Sequence, residues 1–322
     1  MRASLVPFVR TVAVSVLFLS GITLVTLAPT MAIGAAESNA SGVSLSASAV
    51  RPLSSAKALG WEFVEPVAVA SDGTHVWVVN SLRYSVTELV ASTGALVRVI
   101  SGSSYRFDGP DAVALGGNHV WVANLNGNSV TELSASTGAL VKVIRGSSCR
   151  FGWPDGIASD GTHVWVANYD GNSVTELSAS TGALVKVINY GFDGPEGIAS
   201  DGTHVWVANQ VGNSVTELSA STGALVKVIS SSSDGFDGPE GIALGGTHLW
   251  VANYDGSSVT ELSASTGALV RVISGSSYGF AWPKGIASDG THVWVTNEGG
   301  NSAVTELSAS TAALVRVISG ES

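Results

Sequence analysis

Residues 160–168 read DGTHVWVAN, and this stretch decides the fold because it occurs six times along the chain, whole or nearly whole. It returns unchanged at 201–209, and close variants stand at 72–80, 116–124, 245–253 and 289–297. The tryptophans of the six copies follow one another at steps of 44, 44, 41, 44 and 44 residues: Trp77, Trp121, Trp165, Trp206, Trp250 and Trp294. A period of this length is typical of repeat proteins, in which each copy forms one supersecondary unit.

One repeat, residues 153–188, contains four short runs rich in residues that favour β-strands: DGIAS, HVWVAN, SVTELS and ALVKVI. The stretches between them are SDGT, YDGN and STG, and Asp-Gly is a strong signal for a tight hairpin turn. Four strands joined by three tight turns predict one antiparallel meander in each repeat.

Neither face of such a small sheet is polar. In HVWVAN, Val164 and Val166 point to one side while Trp165 and Ala167 point to the other. Each sheet must therefore lie between two others, and six flanked sheets close a ring. The sequence predicts an all-β fold, a six-bladed β-propeller over residues 61–322. Its first blade opens at Pro66 and its sixth finishes near Ile318, so we expect the ring to close blade on blade without strand exchange.

The repeated pattern GPxGIA…VWVAN…NSVTEL…TGALVKVI resembles the NHL-type and YncE-like families of β-propellers. More distantly it resembles the virginiamycin B lyase and gluconolactonase-type propellers. The resemblance covers residues 61–322 and implies the propeller fold. It does not imply one function, because these families include scaffolds, binders and enzymes. The catalytic histidine of the lyase family has no evident counterpart here, so that site is not carried over.

The N-terminal segment has the pattern of an export signal. Arg2 and Arg10 precede a stretch without charge from Thr11 to Ala36, which ends in small residues. Residues 1–36 are predicted to be a signal peptide, or else an N-terminal anchor, since the uncharged stretch is long enough to span a membrane. Residues 37–60 are rich in Ser and Ala and form a linker or a half-repeat. We expect a secreted or cell-surface protein, in contact with a membrane only through an uncleaved N-terminal segment.

Composition narrows the class of partner. Hydrophobic residues make up 45% of the chain and charged residues 12%, which is typical of an ordered protein. The formal net charge of −10 argues against nucleic acid, which requires clustered Lys and Arg. We expect a monomer whose partner is an extracellular protein, peptide or glycan.

Residues repeated in all six blades most simply serve the fold. The histidines share one position at the start of the second strand, where we expect each to hydrogen-bond its own hairpin: His75, His119, His163, His204, His248 and His292. A Glu on the third strand and a Lys or Arg on the fourth also recur, and we expect them to pair. Function is expected where the copies differ, in the loops after the second strand and between blades, which share the face we call the top face.

The residue after each blade-opening proline is expected at the top mouth of the central channel. The six are Val67, Asp111, Asp155, Glu196, Glu240 and Lys284. Clustered carboxylates suit Ca²⁺, so the four acidic residues are candidate metal ligands. The alternative is turn chemistry and solvated charge. No cofactor other than Ca²⁺ is indicated.

Aromatic residues mark the same face. Trp153 and Trp282 replace the glycine of the repeated DGP, and together with Tyr169, Tyr254 and Lys284 they are candidate contacts for a ligand or partner. The alternative is that each tryptophan shields its blade junction. Two functions remain open: an exported binding module that uses its varied, acidic top face, and a metal-dependent hydrolase or lyase, similar to a lactonase, with a cation at the channel mouth.

Overall fold

The computed structural model describes residues 13–14, 63–300 and 302–319, and over these residues the chain is a six-bladed β-propeller. Each blade is a four-stranded antiparallel sheet made from consecutive strands, the first lying innermost. The predicted fold and the predicted meander are confirmed. The N-terminal segments 1–36 and 37–60 lie outside the described residues, except for Ala13 and Val14.

The strands of the first three blades follow the predicted runs closely. Blade 1 comprises β2 (Pro66–Ser71), β3 (His75–Asn80), β4 (Ser85–Val90) and β5 (Leu96–Ile100). Blade 2 comprises β6 (Pro110–Gly116), β7 (His119–Asn124), β8 (Ser129–Ser134) and β9 (Leu140–Ile144). Blade 3 comprises β10 (Pro154–Ser159), β11 (His163–Asn168), β12 (Ser173–Ser178) and β13 (Leu184–Ile188).

The other three blades repeat this plan. Blade 4 comprises β14 (Pro195–Ser200), β15 (His204–Asn209), β16 (Ser214–Ser219) and β17 (Leu225–Ile229). Blade 5 comprises β18 (Pro239–Gly245), β19 (His248–Asn253), β20 (Ser258–Ser263) and β21 (Leu269–Ile273). Blade 6 comprises β22 (Pro283–Ser288), β23 (His292–Asn297), β24 (Val304–Ser308) and β25 (Leu314–Ile318). Single turns of 3-10 helix lie at Ser232–Asp234 and Ser276–Tyr278.

One further strand, β1 (Ala13–Val14), pairs in parallel with β2 at the inner edge of blade 1. The register places Ala13 opposite Ala68 and Val14 opposite Val69. Within the described ranges, no helix is both long and apolar enough to cross a bilayer.

The core consists of buried clusters at the junctions between consecutive blades. At the junction of blades 3 and 4, Trp165 and Ala167 share a cluster with Val205 and Val207, and all four side chains are fully buried. The tryptophan face of one sheet thus meets the valine face of the next. Because both faces of HVWVAN are apolar, this packing buries each sheet on both sides, as the pattern predicts.

The junction between blades 6 and 1 differs from the other five. Within residues 63–300 and 302–319 no buried cluster bridges it, whereas one bridges each of the other junctions. Trp294 and Thr296 of blade 6 are only partly buried, as are Val76 and Val78 on the facing side of blade 1. Each blade is contiguous in sequence, as expected, and the junction of blades 6 and 1 is less buried than the other five among the described residues.

The residues repeated in every blade hold neighbouring strands together, as expected. In blade 1, the buried carboxylate of Glu88 lies 2.7 Å from the guanidinium of Arg98, directly opposite it in the sheet. In blade 3, His163 lies 3.2 Å from Asp160 of its own hairpin and 3.7 Å from Glu176.

Blades 2 and 5 have no Asp in this hairpin, and there the histidine contacts the glutamate of the third strand instead. His119 lies 2.9 Å from Glu132, and His248 lies 2.7 Å from Glu261. The expectation of a hairpin partner therefore fails in these two blades, although the role is structural in all six.

Candidate functional site

The loops divide between two rims of the ring, as the meander requires. On one rim the N–H of Ala179, in the turn between the third and fourth strands, donates to the carbonyl of Thr162 in the first hairpin. On the top face the N–H of Tyr169, in the loop after the second strand, donates to the carbonyl of Trp153 in the link between blades. The two sets of variable loops therefore share one face, which holds the candidate site.

A β-bulge at the start of each innermost strand positions the residue that follows the proline. In blade 3 the pairing shifts between Pro154 and Gly156, so Asp155 is the extra residue, and blade 4 shifts between Pro195 and Ile198, around Glu196. A bulge turns an extra residue out of the regular pleat and aims its side chain. The bulge thus directs these residues toward the channel mouth.

Glycines after the bulge bring the innermost strands of blades 3 to 6 into close contact. A Cβ on Gly197 would lie 2.1 Å from the carbonyl oxygen of Glu240, and one on Gly156 would lie 2.0 Å from that of Glu196. Blades 1 and 2 carry Ala68 and Ala112 at this position. The carboxylates of blades 4 and 5 are therefore held on backbones that only glycine allows to approach so closely.

A chain of hydrogen bonds links blades 3, 4 and 5 across the mouth. The hydroxyl of Tyr169 donates to Oε1 of Gln210 at 2.8 Å, and Nε2 of Gln210 donates to Oε1 of Glu240 at 2.8 Å. Glu240 is buried, and its second oxygen lies 3.5 Å from Nζ of Lys284 in blade 6. Contacts of this kind fix the orientation of the Glu240 carboxylate.

The chain continues through blade 6 and returns to blade 5. Nζ of Lys284 lies 3.8 Å from Oε1 of Glu298, and the hydroxyl of Tyr254 donates to Oε2 of Glu298 at 3.1 Å. Lys284 is thus shared by two carboxylates. Among the candidate contacts predicted from sequence, Lys284, Tyr169 and Tyr254 therefore join one polar network.

Burial and neighbouring charges shift the pKa values of three residues at the mouth. Burial, with Asp155 and Glu240 nearby, raises the pKa of Glu196 well above its usual range. Burial likewise raises the pKa of Glu240 to about 7, although Lys284 and Gln210 act in the opposite direction. Burial alone would lower the pKa of Lys284, but Glu240, Glu196 and Glu298 together raise it. Asp111, Asp155, Glu240 and Lys284 are thus all near enough to Glu196 to influence its ionisation.

Two carboxylate oxygens of this cluster have no hydrogen-bond partner among the described residues. One is Oε2 of Glu240, which lies 3.5 Å from Nζ of Lys284, and the other is Oε2 of Glu196, which is buried. A buried carboxylate without hydrogen bonds is unfavourable when ionised, because nothing replaces the water that it loses. The mouth therefore lacks a donor or cation at Oε2 of Glu196.

Trp153 and Trp282 lie on the same face in an unusual backbone conformation. Their φ angles are 48° and 51°, in the left-handed region. At the corresponding position blades 2, 4 and 5 have glycine, with φ between 57° and 61°: Gly109, Gly194 and Gly238. A bulky residue costs about 1 kcal/mol or more in this region, and such residues cluster at functional sites.

The exposure of these tryptophans bears on the alternative that they shield blade junctions. Trp153 is 44% exposed and Trp282 is 54% exposed, so neither is a buried seal. Trp282 stacks on Tyr254, with ring centroids 6.1 Å apart and an interplanar angle of 20°. The exposed ring surface favours contact with a ligand, because burial in a seal would hide it.

The asparagines that end the second strands belong to the core. Asn168 is fully buried, and its Nδ2 donates to Oγ1 of Thr175 at 3.0 Å. Thr175 in turn donates to the carbonyl of Cys149 in the link between blades. These hydrogen bonds fasten the loop and the link to the blade.

The described residues form no preformed site for the predicted metal ion. Within the part of the chain that the structure describes, no group of three or more His, Cys, Asp or Glu side chains is arranged to hold a metal ion. Asp111, Asp155, Glu196 and Glu240 are near enough to influence one another but do not converge in this way. A Ca²⁺ site at the mouth stays a prediction.

Gln210 and Glu298 are the two network residues that sequence reasoning missed. Both occupy the first position of the loop after the second strand, where the six blades read Ser81, Leu125, Tyr169, Gln210, Tyr254 and Glu298. Variation at this position from blade to blade was the signal that could have identified them.

Comparisons with known proteins agree with the fold. No family model matches the chain, and no curated protein matches it in sequence. Among solved structures, a streptogramin B lyase is 18% identical with a TM-score of 0.63, and the match covers 80% of this chain and 83% of that one.

Two other solved structures are similar to the same degree. One is a catalytically inactive histidine-to-alanine variant of virginiamycin B lyase from Staphylococcus aureus with quinupristin, at 17% identity and a TM-score of 0.65, covering 79% of this chain and 84% of that one. The other is the WD40 repeats of RRP9, at 13% identity and a TM-score of 0.65, covering 77% of this chain and 78% of that one. The distant resemblance to virginiamycin B lyases is thus confirmed for the fold, while the NHL-type and YncE-like assignment stays a prediction.

Proposed function

We propose that this chain is an exported binding module that captures a cationic group, the ammonium or guanidinium of a basic peptide, at the top mouth of its channel. The observation that carries the proposal is the charge balance there. Four carboxylates act on one ammonium, that of Lys284: Glu240, Glu196, Glu298 and Asp155. Asp111 acts on Glu196 in turn, and a cation that enters this cluster is attracted by each carboxylate that ionises.

The polar network supports the proposal because it holds the carboxylates in place before a ligand arrives. Glu240 is oriented by Gln210 and Glu298 by Tyr254, so little side-chain entropy is lost on binding. The unpaired oxygen of Glu196 supplies an acceptor for a ligand N–H. The exposed rings of Trp153 and Trp282 add surfaces on which a cationic or flat group can lie.

The experiment is a calorimetric titration of the whole secreted chain with tri-lysine amide at low salt. The acetylated tri-lysine amide, which has the same length without the charges, is the matched ligand control. We expect saturable binding of the charged peptide alone. The double substitution Glu196→Gln and Glu240→Gln is expected to weaken it at least tenfold.

The matched protein control is Asp170→Asn, which removes an exposed carboxyl from a top-face loop outside the network. We expect this variant to bind like the unchanged chain. Equal binding of the acetylated peptide, or an equal loss in Asp170→Asn, would refute capture at the mouth. Saturable Ca²⁺ binding that the double substitution abolishes, without peptide binding, would assign the cluster to a metal instead.

A second candidate function is a lyase-like enzyme, and one observation favours it. Glu240 has a pKa of about 7 beside a lysine, which suits a general acid or base near neutral pH. The solved lyase that is similar in fold loses activity when a histidine is replaced. All six histidines of this chain belong to the structural rim opposite the mouth, for example His163 beside Asp160.

The test of this candidate is incubation with quinupristin, followed by mass spectrometry. We expect the antibiotic to remain unchanged. Turnover that disappears in Glu240→Gln would favour the enzyme over the binding module.

A further inference from the structure

A cavity lies away from the channel mouth, between blades 1 and 2. It has a volume of about 550 Å³ and is lined by the loop after β3, the link from β5 to β6 and the outer strand of blade 2. None of the mouth residues contributes to it. This volume is within the range of pockets that hold small molecules.

Three arginines line this cavity, which we call the arginine groove: Arg83, Arg106 and Arg145. Asp108 is the only carboxylate in the lining, so the groove is positively charged in a chain whose net charge is −10. Within the described residues, Arg106 and Arg145 form no ion pair or side-chain hydrogen bond. Their charges are therefore open to an anion from solution.

The sister repeats show that these arginines are not part of the common fold. The other five blades have glycine where blade 1 has Arg83: Gly127, Gly171, Gly212, Gly256 and Gly300. The links after blades 3, 4 and 5 have glycine where the first link has Arg106: Gly191, Gly235 and Gly279. Where blade 2 has Arg145, blades 1, 3, 4 and 5 have Ser or Asn: Ser101, Asn189, Ser230 and Ser274.

Aromatic and hydroxyl groups complete the groove. Tyr84 is 48% exposed and has a φ of 49°, a left-handed conformation that an aromatic residue rarely adopts. Phe107 forms a buried wall, and Ser101 and Ser103 offer hydroxyl donors. A ring that carries an anionic group fits such a lining, with the ring against Tyr84.

We propose that the arginine groove binds a sugar that carries a phosphate or sulfate group. Guanidinium groups present paired N–H donors that match the oxygens of a tetrahedral oxyanion. Arg106 and Arg145 present such donors beside the single carboxylate of the described lining, and the exposed Tyr84 provides a platform for a sugar ring. This site is independent of the cation-binding mouth and has the opposite charge.

The experiment is calorimetric titration of the whole chain with glucose 6-phosphate and with glucose 6-sulfate, with glucose as the uncharged control. The variants take residues from the sister repeats: Arg83→Gly and Arg145→Ser. Because sister loops carry these residues, both variants are expected to fold. We expect at least one charged sugar to bind, glucose not to bind, and each substitution to weaken binding at least fivefold.

The matched control is Arg150→Gly, which alters the exposed arginine at the corresponding position of the next link, outside the groove. We expect it to leave the affinity unchanged, as should Glu196→Gln at the mouth. Binding of only one charged sugar would identify the ester that the groove accepts. No binding of either, or an equal loss in Arg150→Gly, would overturn the proposal without affecting that for the mouth.

Discussion

Replacing Glu240 by Gln is expected to make the protein more stable at pH 8, although it removes a side chain at the centre of the candidate site. Burial raises the pKa of this carboxyl from an ordinary 4.5 to about 7, so the folded chain holds the proton more tightly than the unfolded chain. The free energy of unfolding therefore falls as the pH rises from the pKa of this carboxyl in the unfolded chain to its pKa in the folded chain.

The size of the effect follows from the shift. A difference of about 2.5 pKa units corresponds to about 3.4 kcal/mol, because one unit is about 1.36 kcal/mol. The carboxamide of Gln cannot ionise and keeps the shape of the side chain. The stability advantage of Glu240→Gln over the unchanged chain should therefore grow by about 3 kcal/mol between pH 4.5 and pH 8.

The assay is urea denaturation followed by far-ultraviolet circular dichroism at several pH values, from which the free energy of unfolding is obtained. Asp170→Asn, which removes an exposed carboxyl from the same face, is the control and is expected to run parallel to the unchanged chain. Parallel curves for Glu240→Gln and the unchanged chain would refute the reasoning, because they would mean that this carboxyl ionises equally easily in both states.

Three further predictions concern stability, each measured as the free energy of unfolding in urea. Trp153→Gly should be about 1 kcal/mol more stable than Trp153→Ala because of its positive φ, and the reverse order would contradict the left-handed backbone. Trp165→Ala should lower the free energy of unfolding by about 3–5 kcal/mol. Trp294→Ala, at the less buried junction, should lower it by about half as much. Equal losses would mean that both junctions pack alike. Gly197→Ala should cost about 1–3 kcal/mol, because its Cβ would meet the Glu240 carbonyl at 2.1 Å, and a neutral effect would refute that close approach.

The blades could be predicted from sequence because their determinants are local. The run HVWVAN became the strand His163–Asn168, and SVTELS became Ser173–Ser178. Alternating residues set the faces of each strand, and Asp-Gly turns set where it begins. In the hairpin, Oδ1 of Asp160 accepts from the N–H groups of Thr162 and His163, which is a contact within four residues.

The candidate site could be predicted only in part, because it depends on contacts between blades. The position after the blade-opening proline led to Glu196 and Glu240 as candidate residues, which stay a prediction. The hydrogen bond from Gln210 to Glu240 joins residues that are 30 apart in the sequence, and no sequence pattern predicts such a contact. The left-handed φ of Trp153 was also not predicted, although three sister links have glycine at the same position, which is typical of that conformation.

The less buried junction of blades 6 and 1 shows another limit of reasoning from repeats. A repeat predicts that Trp294 is buried like Trp165, because both lie in the same motif. Burial depends on the neighbouring sheet, however, and the first and last copies of an array meet in a different context from the others.

The central claim, that the mouth binds a cationic group through carboxylates that otherwise hold protons, is tested most directly by counting protons. Calorimetric titration with tri-lysine amide at pH 6.5, in buffers of different ionisation enthalpy, gives the number of protons released for each peptide bound. Because Glu240 has a pKa of about 7, it is largely protonated at this pH and must ionise to pair with the ligand. We predict a release of up to about one proton, which disappears when Glu240 is replaced by Gln. Binding of undiminished affinity without proton release would contradict the account.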